Sequence, residues 1–136
     1  MKIVVDANII IAGIIRDSTT RRLLTDPRLE LIAPAALMEE CGKYAHDDEV
    51  QRKAGMSGEQ LMSLLNTFFN RIEFFPPSSY AEQFLQATKL AVHHEDTSYI
   101  AVALKSNCPI WTNDLDMSRQ DKVEIVSTSK LVELLE

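Results

Sequence analysis

The sequence predicts an α/β protein, a three-layer α/β/α sandwich on a central, parallel, five-stranded sheet. Three observations carry this. Ile3-Val4-Val5 opens the chain as a continuous β-branched run, the mark of a central strand covered on both faces. Short apolar runs then alternate with segments of helical period to the end of the chain. Breaks such as Asp26-Pro27, Pro76-Pro77 and Asn113-Asp114 fall between the two kinds of segment. Strand–helix alternation means parallel strands joined by right-handed crossovers, with helices on both faces. The 136 residues fit one domain, 1–136, with no repeat, low-complexity tract or dividing linker.

In chain order, the first strand leads into a short buried helix over Ile9 to Ile15, starting near Asn8. Asp17-Ser18-Thr19-Thr20 is a cap-rich break before a second helix that carries Arg21 to Leu24. Leu29 to Ala33 is the second strand, and Pro34 suits the first turn of a third helix. That helix is expected from about Ala35 towards Lys53, although Gly42 and the polar run from His46 weaken its second half, and Gly55 ends it. Ser57 and Gln60 fit a capping box for a fourth, amphipathic helix with Leu61, Leu64, Leu65, Phe68 and Phe69 inward. Arg71 to Phe75 is the third strand. Ser78 or Ser79 caps a fifth helix with Phe84, Leu85, Thr88 and Ala91 on its apolar side. Asp96 opens a sixth helix to about Ser106, Pro109 to Thr112 is the fourth strand, Val123 to Val126 the fifth, and Ser127 caps the last helix.

The hydrophobic fraction of 46% supports a genuine core, and no apolar run reaches the roughly 20 residues of a membrane span. With no signal peptide in evidence and two cysteines lacking metal-ligand spacing, a cytoplasmic protein with buried thiols is expected. The net charge of −6 argues against a broad basic coat for nucleic acid, but an acidic metal site would itself inflate the negative count.

Several acids share one local context, the end of a strand or the first turns of a helix. Asp6 follows the first strand, where open parallel sheets bind ligands. Glu40 lies two turns into the third helix, at helical spacing from Leu37 and Tyr44 on the inward stripe, while Glu39 is rotated about 100° outward. Asp96 is in register with Ile100, Ala103 and Asn107. Asp114 and Asp116 follow the fourth strand. Each has a structural alternative: a helix cap for Asp6 and Asp96, a snorkelling side chain for Glu40, an Asx turn for Asp114 and Asp116. Gathered at one sheet edge, such acids repel and raise each other's pKa unless a cation joins them. Hard oxygen ligands select Mg²⁺ or Mn²⁺ over zinc. An acidic site of that kind, with no Ser or Cys nucleophile, suits phosphodiester hydrolysis.

With these residues in view, the sequence resembles the PIN domain family of metal-dependent nucleases, which includes VapC-type toxins. The similarity rests on Val5-Asp6-Ala7-Asn8-Ile9-Ile10, Pro34 to Cys41, Glu95-Asp96-Thr97-Ser98-Tyr99-Ile100-Ala101, and Ile110 to Asp116, in that order and spacing. It implies catalytic acids at Asp6, Glu40, Asp96 and Asp114, metal ligation by Asp6, Asp96, Asp114 and Asp116, and polar support from Asn8 and Thr112. It further implies endoribonuclease activity leaving a 5′-phosphate, a homodimer, a role as the toxin of a toxin–antitoxin pair and hence an antitoxin partner. RNA, single-stranded, is the expected substrate. Arg16, Arg21, Arg22, Lys43, Arg52 and Lys53 are candidates for guiding it.

Three rivals are weighed beside this. A haloacid-dehalogenase-type phosphatase needs a second Asp two residues after the first, where this chain has Asn8. A receiver domain needs an Asp after its third strand, where this chain runs into Phe75-Pro76-Pro77. A non-catalytic PIN-like module binding RNA or protein is the remaining alternative. His93 and His94, adjacent and diverging, are expected at the surface, and Trp111 in the core.

Overall fold

A computed structural model describes residues 1–15 and 18–136. Arg16 and Asp17, expected above as a guiding cation and as part of a cap-rich break, lie outside the described residues. The elements are β1 (Lys2–Val5), α1 (Ala7–Ile15), α2 (Ser18–Leu24), β2 (Glu30–Pro34), α3 (Ala36–Ala45), α4 (Asp48–Ala54) and α5 (Gly58–Phe69). They continue with β3 (Ile72–Phe75), α6 (Ala81–Leu90), α7 (Thr97–Ser106), β4 (Ile110–Trp111), β5 (Ile125–Val126) and α8 (Thr128–Leu135). Short 3-10 turns occupy Pro77–Tyr80, His94–Asp96 and Leu115–Arg119.

All five strands are parallel, in the order β3-β2-β1-β4-β5, so the first strand of the chain is the middle of the sheet. Ile3, Val4 and Val5 are fully buried, as a β-branched run covered on both faces must be. The helices fall into two packed groups. α1 contacts α2, α3, α4 and α5, whereas α6 packs on α7, and α7 packs on β1, β2 and β4. The sandwich thus has the three layers the sequence predicts. None of the described helices is long and apolar enough to cross a membrane.

The topology brings the end of β1 beside the end of β4. Val5 is level with Trp111, which in turn is level with Val126. The backbone N–H of Asp6 donates to the carbonyl of Trp111 at 3.1 Å, and that of Thr112 to Val126 at 3.1 Å. The carboxyl ends of the three strands are thereby locked side by side. Trp111 is completely buried and its indole N–H reaches Thr128 Oγ1 at 3.0 Å. A buried indole needs such a partner.

Three expectations change. The single helix expected from Ala35 to Lys53 is two. Asp47 takes an extended conformation, and its carboxylate accepts the N–H groups of Glu49 and Val50 at 2.9 and 3.1 Å. A short acceptor offering the backbone an alternative to the ladder restarts the helix there. Gly55 closes α4 in the left-handed conformation at φ 67°, and Ser57 and Gln60 form the expected capping box. Asp47→Ala is expected to cost about 1 kcal/mol, read as a fall of about 3–5 °C in thermal melting.

Pro34 is not the first turn of a helix but the last residue of β2, level with Phe75. The β1 ladder on its other side reaches only Ile32, so the missing N–H of Pro34 breaks no bond there. In α6, Phe84 and Leu85 face outward at 47% and 69% exposure, and Ala87 makes the tight contact instead. Neither Ser78 nor Ser79 caps this helix. The chain enters it through the Pro77–Tyr80 turn, with Tyr80 at the cap position.

Candidate active site

Asp6 sits where β1 gives way to α1, only 5% exposed. Its Oδ2 accepts a 2.7 Å hydrogen bond from Thr112 Oγ1, at the end of β4. The same hydroxyl oxygen accepts the backbone N–H of Asp114 at 3.0 Å. Thr112 therefore ties two acids together, one following β1 and one following the neighbouring β4. Burial holds the Asp6 carboxyl above its usual range; the bonds from Thr112 and the amides of Ala7 and Asn8 oppose this, and Asp114 adds repulsion. Thr112→Val keeps the shape but leaves a buried carboxylate oxygen and a backbone N–H unpaired. The expected result is a loss of about 2–4 kcal/mol in urea unfolding with an unchanged m-value.

Glu40 enters from α3. The buried stripe of that helix is Leu37, Cys41 and Ala45, with Glu40 at its half-buried edge, while Tyr44 at 40% exposure lies outside it. Tyr99 of α7 donates its hydroxyl to Glu40 Oε2 at 3.3 Å. Burial raises the Glu40 carboxyl, and the charge of Asp6 raises it further. Cys41 beside it is buried, its thiol pushed up to about 12, which removes it as a nucleophile.

Asp96 occupies the cap position of α7, yet its side chain makes no capping bond. Its carboxylate is raised to about 6, first by burial and then by repulsion from Asp6 and Asp114. Asp114 accepts the N–H of Asp116 at 3.0 Å, which is the Asx turn considered above, and it acts on Asp6 and Asp96 as well.

Asp6 is thus the hub of the carboxyl edge: its charge acts on Glu40 and Asp96, and Asp114 acts on both Asp6 and Asp96. The Asp116 carboxylate is paired with cations instead, 2.8 Å from His93 Nε2 and 3.3 Å from Arg119 Nε. The imidazole hydrogen bond holds the Asp116 carboxyl below its usual range, and Asp116 in turn raises His93. Asn8 lies exposed in the first turn of α1. Among the named cations, Arg21 is committed to the Gly13 carbonyl at 2.8 Å, and Arg52 and Lys53 pair with Glu49. Lys43 lowers the Glu40 carboxyl, and Arg22 is exposed.

Two residues of this neighbourhood carry no sequence signal of their role. Tyr99 looks like ordinary core within an apolar helix, and His93 like a surface imidazole. Their partners, Glu40 on α3 and Asp116 after β4, are 59 and 23 residues away in the chain, and only the tertiary fold reveals them.

The donor set fits a hard divalent cation. Asp6, Glu40 and Asp96 are raised first by burial and then by the charge of neighbouring acids, Asp6 and Asp114 among them, and a cation there would remove that repulsion. Among the described residues no group of three or more His, Cys, Asp or Glu is close enough together to hold a metal ion by itself. Mg²⁺ does not require one. It keeps several waters and binds through one or two carboxylates plus substrate phosphate oxygens.

The sequence profile of the PIN domain family matches residues 4–133. The chain belongs to the PIN domain family. Among solved structures, this PIN domain is similar to a chain in the crystal structure of VapBC2 from Rickettsia felis bound to a DNA fragment from their promoter. The match has a TM-score of 0.64 and 16% identity, and covers 93% of this chain and 98% of that one. At that identity the likeness speaks for the fold. A search of curated proteins found no match.

Proposed function

We propose that this PIN domain is a Mg²⁺- or Mn²⁺-dependent endoribonuclease that hydrolyses phosphodiester bonds of single-stranded RNA in the cytoplasm. The observation that carries the reading is the Thr112 hydroxyl bonded to both Asp6 and the backbone of Asp114 at the sheet edge, with the charge of Asp6 acting on Glu40 and Asp96. In this reading Asp6, Asp96 and Asp114 hold the cation, while Glu40 and Asp116 complete a second position or orient the water. The cation, when bound, supplies charge neutralisation at the phosphate and lowers the pKa of a water. The protein's own groups do the rest. Thr112 holds Asp6 to one orientation, and Tyr99 does the same for Glu40. Glu40, its carboxyl raised by burial and held by the Tyr99 hydroxyl, is suited to take a proton from the attacking water.

The test is cleavage of a fluorescent single-stranded RNA by pure protein. Cleavage with Mn²⁺ that stops on chelation is expected. Absence of cleavage, with RNA still bound, would favour the non-catalytic PIN-like module instead.

The same family membership underlies two partner assignments, a second copy of the chain and an antitoxin protein, the chain then being the toxin of a pair. The apolar side chains of Phe84 and Leu85, uncovered on α6, support a protein partner. Light scattering at micromolar concentration is expected to give twice the monomer mass, and Leu85→Lys to shift it towards the monomer.

A further inference from the structure

The acids do not end the sheet edge. Beyond β4, towards β5 and the start of α8, lies a cavity of about 280 Å³ whose walls include Thr112 and Asp114. Adjacent strands are about 4.8 Å apart, so this cavity begins one strand's step from Asp6. Its volume falls just below the range in which small-ligand pockets begin.

Its chemistry differs from that of the acids. Lys130, in the first turn of α8, brings a cation to the cavity wall. The ammonium lies 3.6 Å from Glu133, and both side chains are more than half exposed. Such a pair is weak and yields readily to a phosphate. Asn113 and Ser127 of the wall are already bonded, while the exposed Ser118 and the acid Asp114 complete its polar groups. Asn113 accepts the N–H of Thr128 at 2.9 Å and donates to its hydroxyl at 3.0 Å. Ser127 Oγ accepts the N–H of Lys130 at 3.1 Å. Leu115, 83% exposed, adds a bare apolar side chain. A cation held only by a weak, exposed pair, beside an apolar side chain and with the Asn113 amide spent internally, suits a phosphate and the face of a base. It offers little to distinguish one base edge from another.

We propose that this cavity holds the nucleotide adjoining the scissile phosphate, its phosphate on Lys130 and its base against Leu115, without discrimination among bases. The inference rests on the ribonuclease reading and extends it to the direction in which the strand leaves the acids.

The experiment is steady-state cleavage of short single-stranded RNAs with Mn²⁺, varying the base on either side of the cut. Lys130→Ala is expected to raise KM about tenfold for every sequence, with kcat within about twofold of wild type. The slope of log kcat/KM against log salt is expected to become shallower by about 0.7. Lys130→Arg restores KM. Lys105→Ala, at the end of α7 remote from Asp96, leaves KM unchanged. A Lys130→Ala enzyme with wild-type KM and salt slope, or a loss confined to one base, overturns the subsite. Absence of cleavage by the wild-type protein overturns the ribonuclease reading itself, an outcome distinct from a wild type and a variant that cut equally well.

Discussion

Replacing Asp6 with Asn is expected to reduce RNA cleavage more than about a hundredfold, beyond what loss of an outer-shell partner of a metal does. At neutral pH without metal, the same substitution is expected to raise the melting temperature. Both effects come from one fact. Asp6 is nearly inaccessible, and its carboxylate is held there against burial and against the charge of Asp114. Asn keeps the size, and its carbonyl oxygen can still accept the Thr112 hydroxyl, although its NH2 cannot accept the Ala7 and Asn8 amides as a carboxylate can. Burial outweighs those bonds for the carboxylate, so the larger loss is the charge, which the folding domain must desolvate and a cation must find. Opposite signs for stability and activity separate a functional acid from a structural one. A structural helix cap at this position would lose stability and leave cleavage intact. Thermal melting and a single-turnover assay on the same preparation read the two signs.

The second large effect is on the pH dependence of stability, and it reverses with metal. Asp6, Glu40 and Asp96 all have folded-state pKa values above the ordinary carboxyl range, Asp96 at about 6. The folded state therefore binds protons more tightly than the unfolded chain at these positions. Their contribution to stability is fully present below the unfolded value near 4 and is lost as pH rises through their folded values, about 6 for Asp96. Asp26 opposes them. Its bonds to Arg28 lower it to about 2, so its contribution is present above about 4 and is lost only as pH falls towards 2. The metal-free protein should therefore melt higher near pH 5 than near pH 8. A divalent cation binds the deprotonated acids, so its effect should grow along the same interval. At 100 times its dissociation constant it adds about 2.7 kcal/mol, or about 9 °C for a domain of this size, at pH 8 and much less at pH 5. Melting curves with and without Mn²⁺ at the two pH values measure this directly. A metal shift of equal size at both would mean that binding is not coupled to these carboxylates.

The parts of the fold that could be read from the chain are those set by neighbours in sequence. Ile3-Val4-Val5 announces a strand buried on both faces, and it is the middle of the sheet. Ser57 with Gln60, and Gly55 at φ 67°, mark helix ends by local chemistry alone. The break at His46 and Asp47 was harder, because the decision is a competition between the Asp47 side chain and the backbone ladder. Either outcome is compatible with the same polar run. Phe84 and Leu85 mislead for another reason. Helical spacing shows that a side is apolar, but not that anything covers it. At the site, strand ends and helix starts give the positions of the acids, since those positions are local. The bonds that orient them are not. Thr112 reaches Asp6 across 106 residues and Tyr99 reaches Glu40 across 59. Lys130 has no feature in sequence to separate it from any solvated lysine, and only the adjacency of β4 and β5 brings it near Asp114.

The central claim is that Asp6, Asp96 and Asp114, delivered by three separate segments, serve one cation. A crystal soaked in Mn²⁺ at neutral pH and measured at the manganese absorption edge tests it most directly. An anomalous peak bonded to a carboxylate oxygen of Asp6 and to at least one of Asp96 and Asp114, and absent from Asp6→Asn crystals, is the expected result. Saturating Mn²⁺ with no peak among these three residues, or with its only peak elsewhere on the molecule, would contradict it.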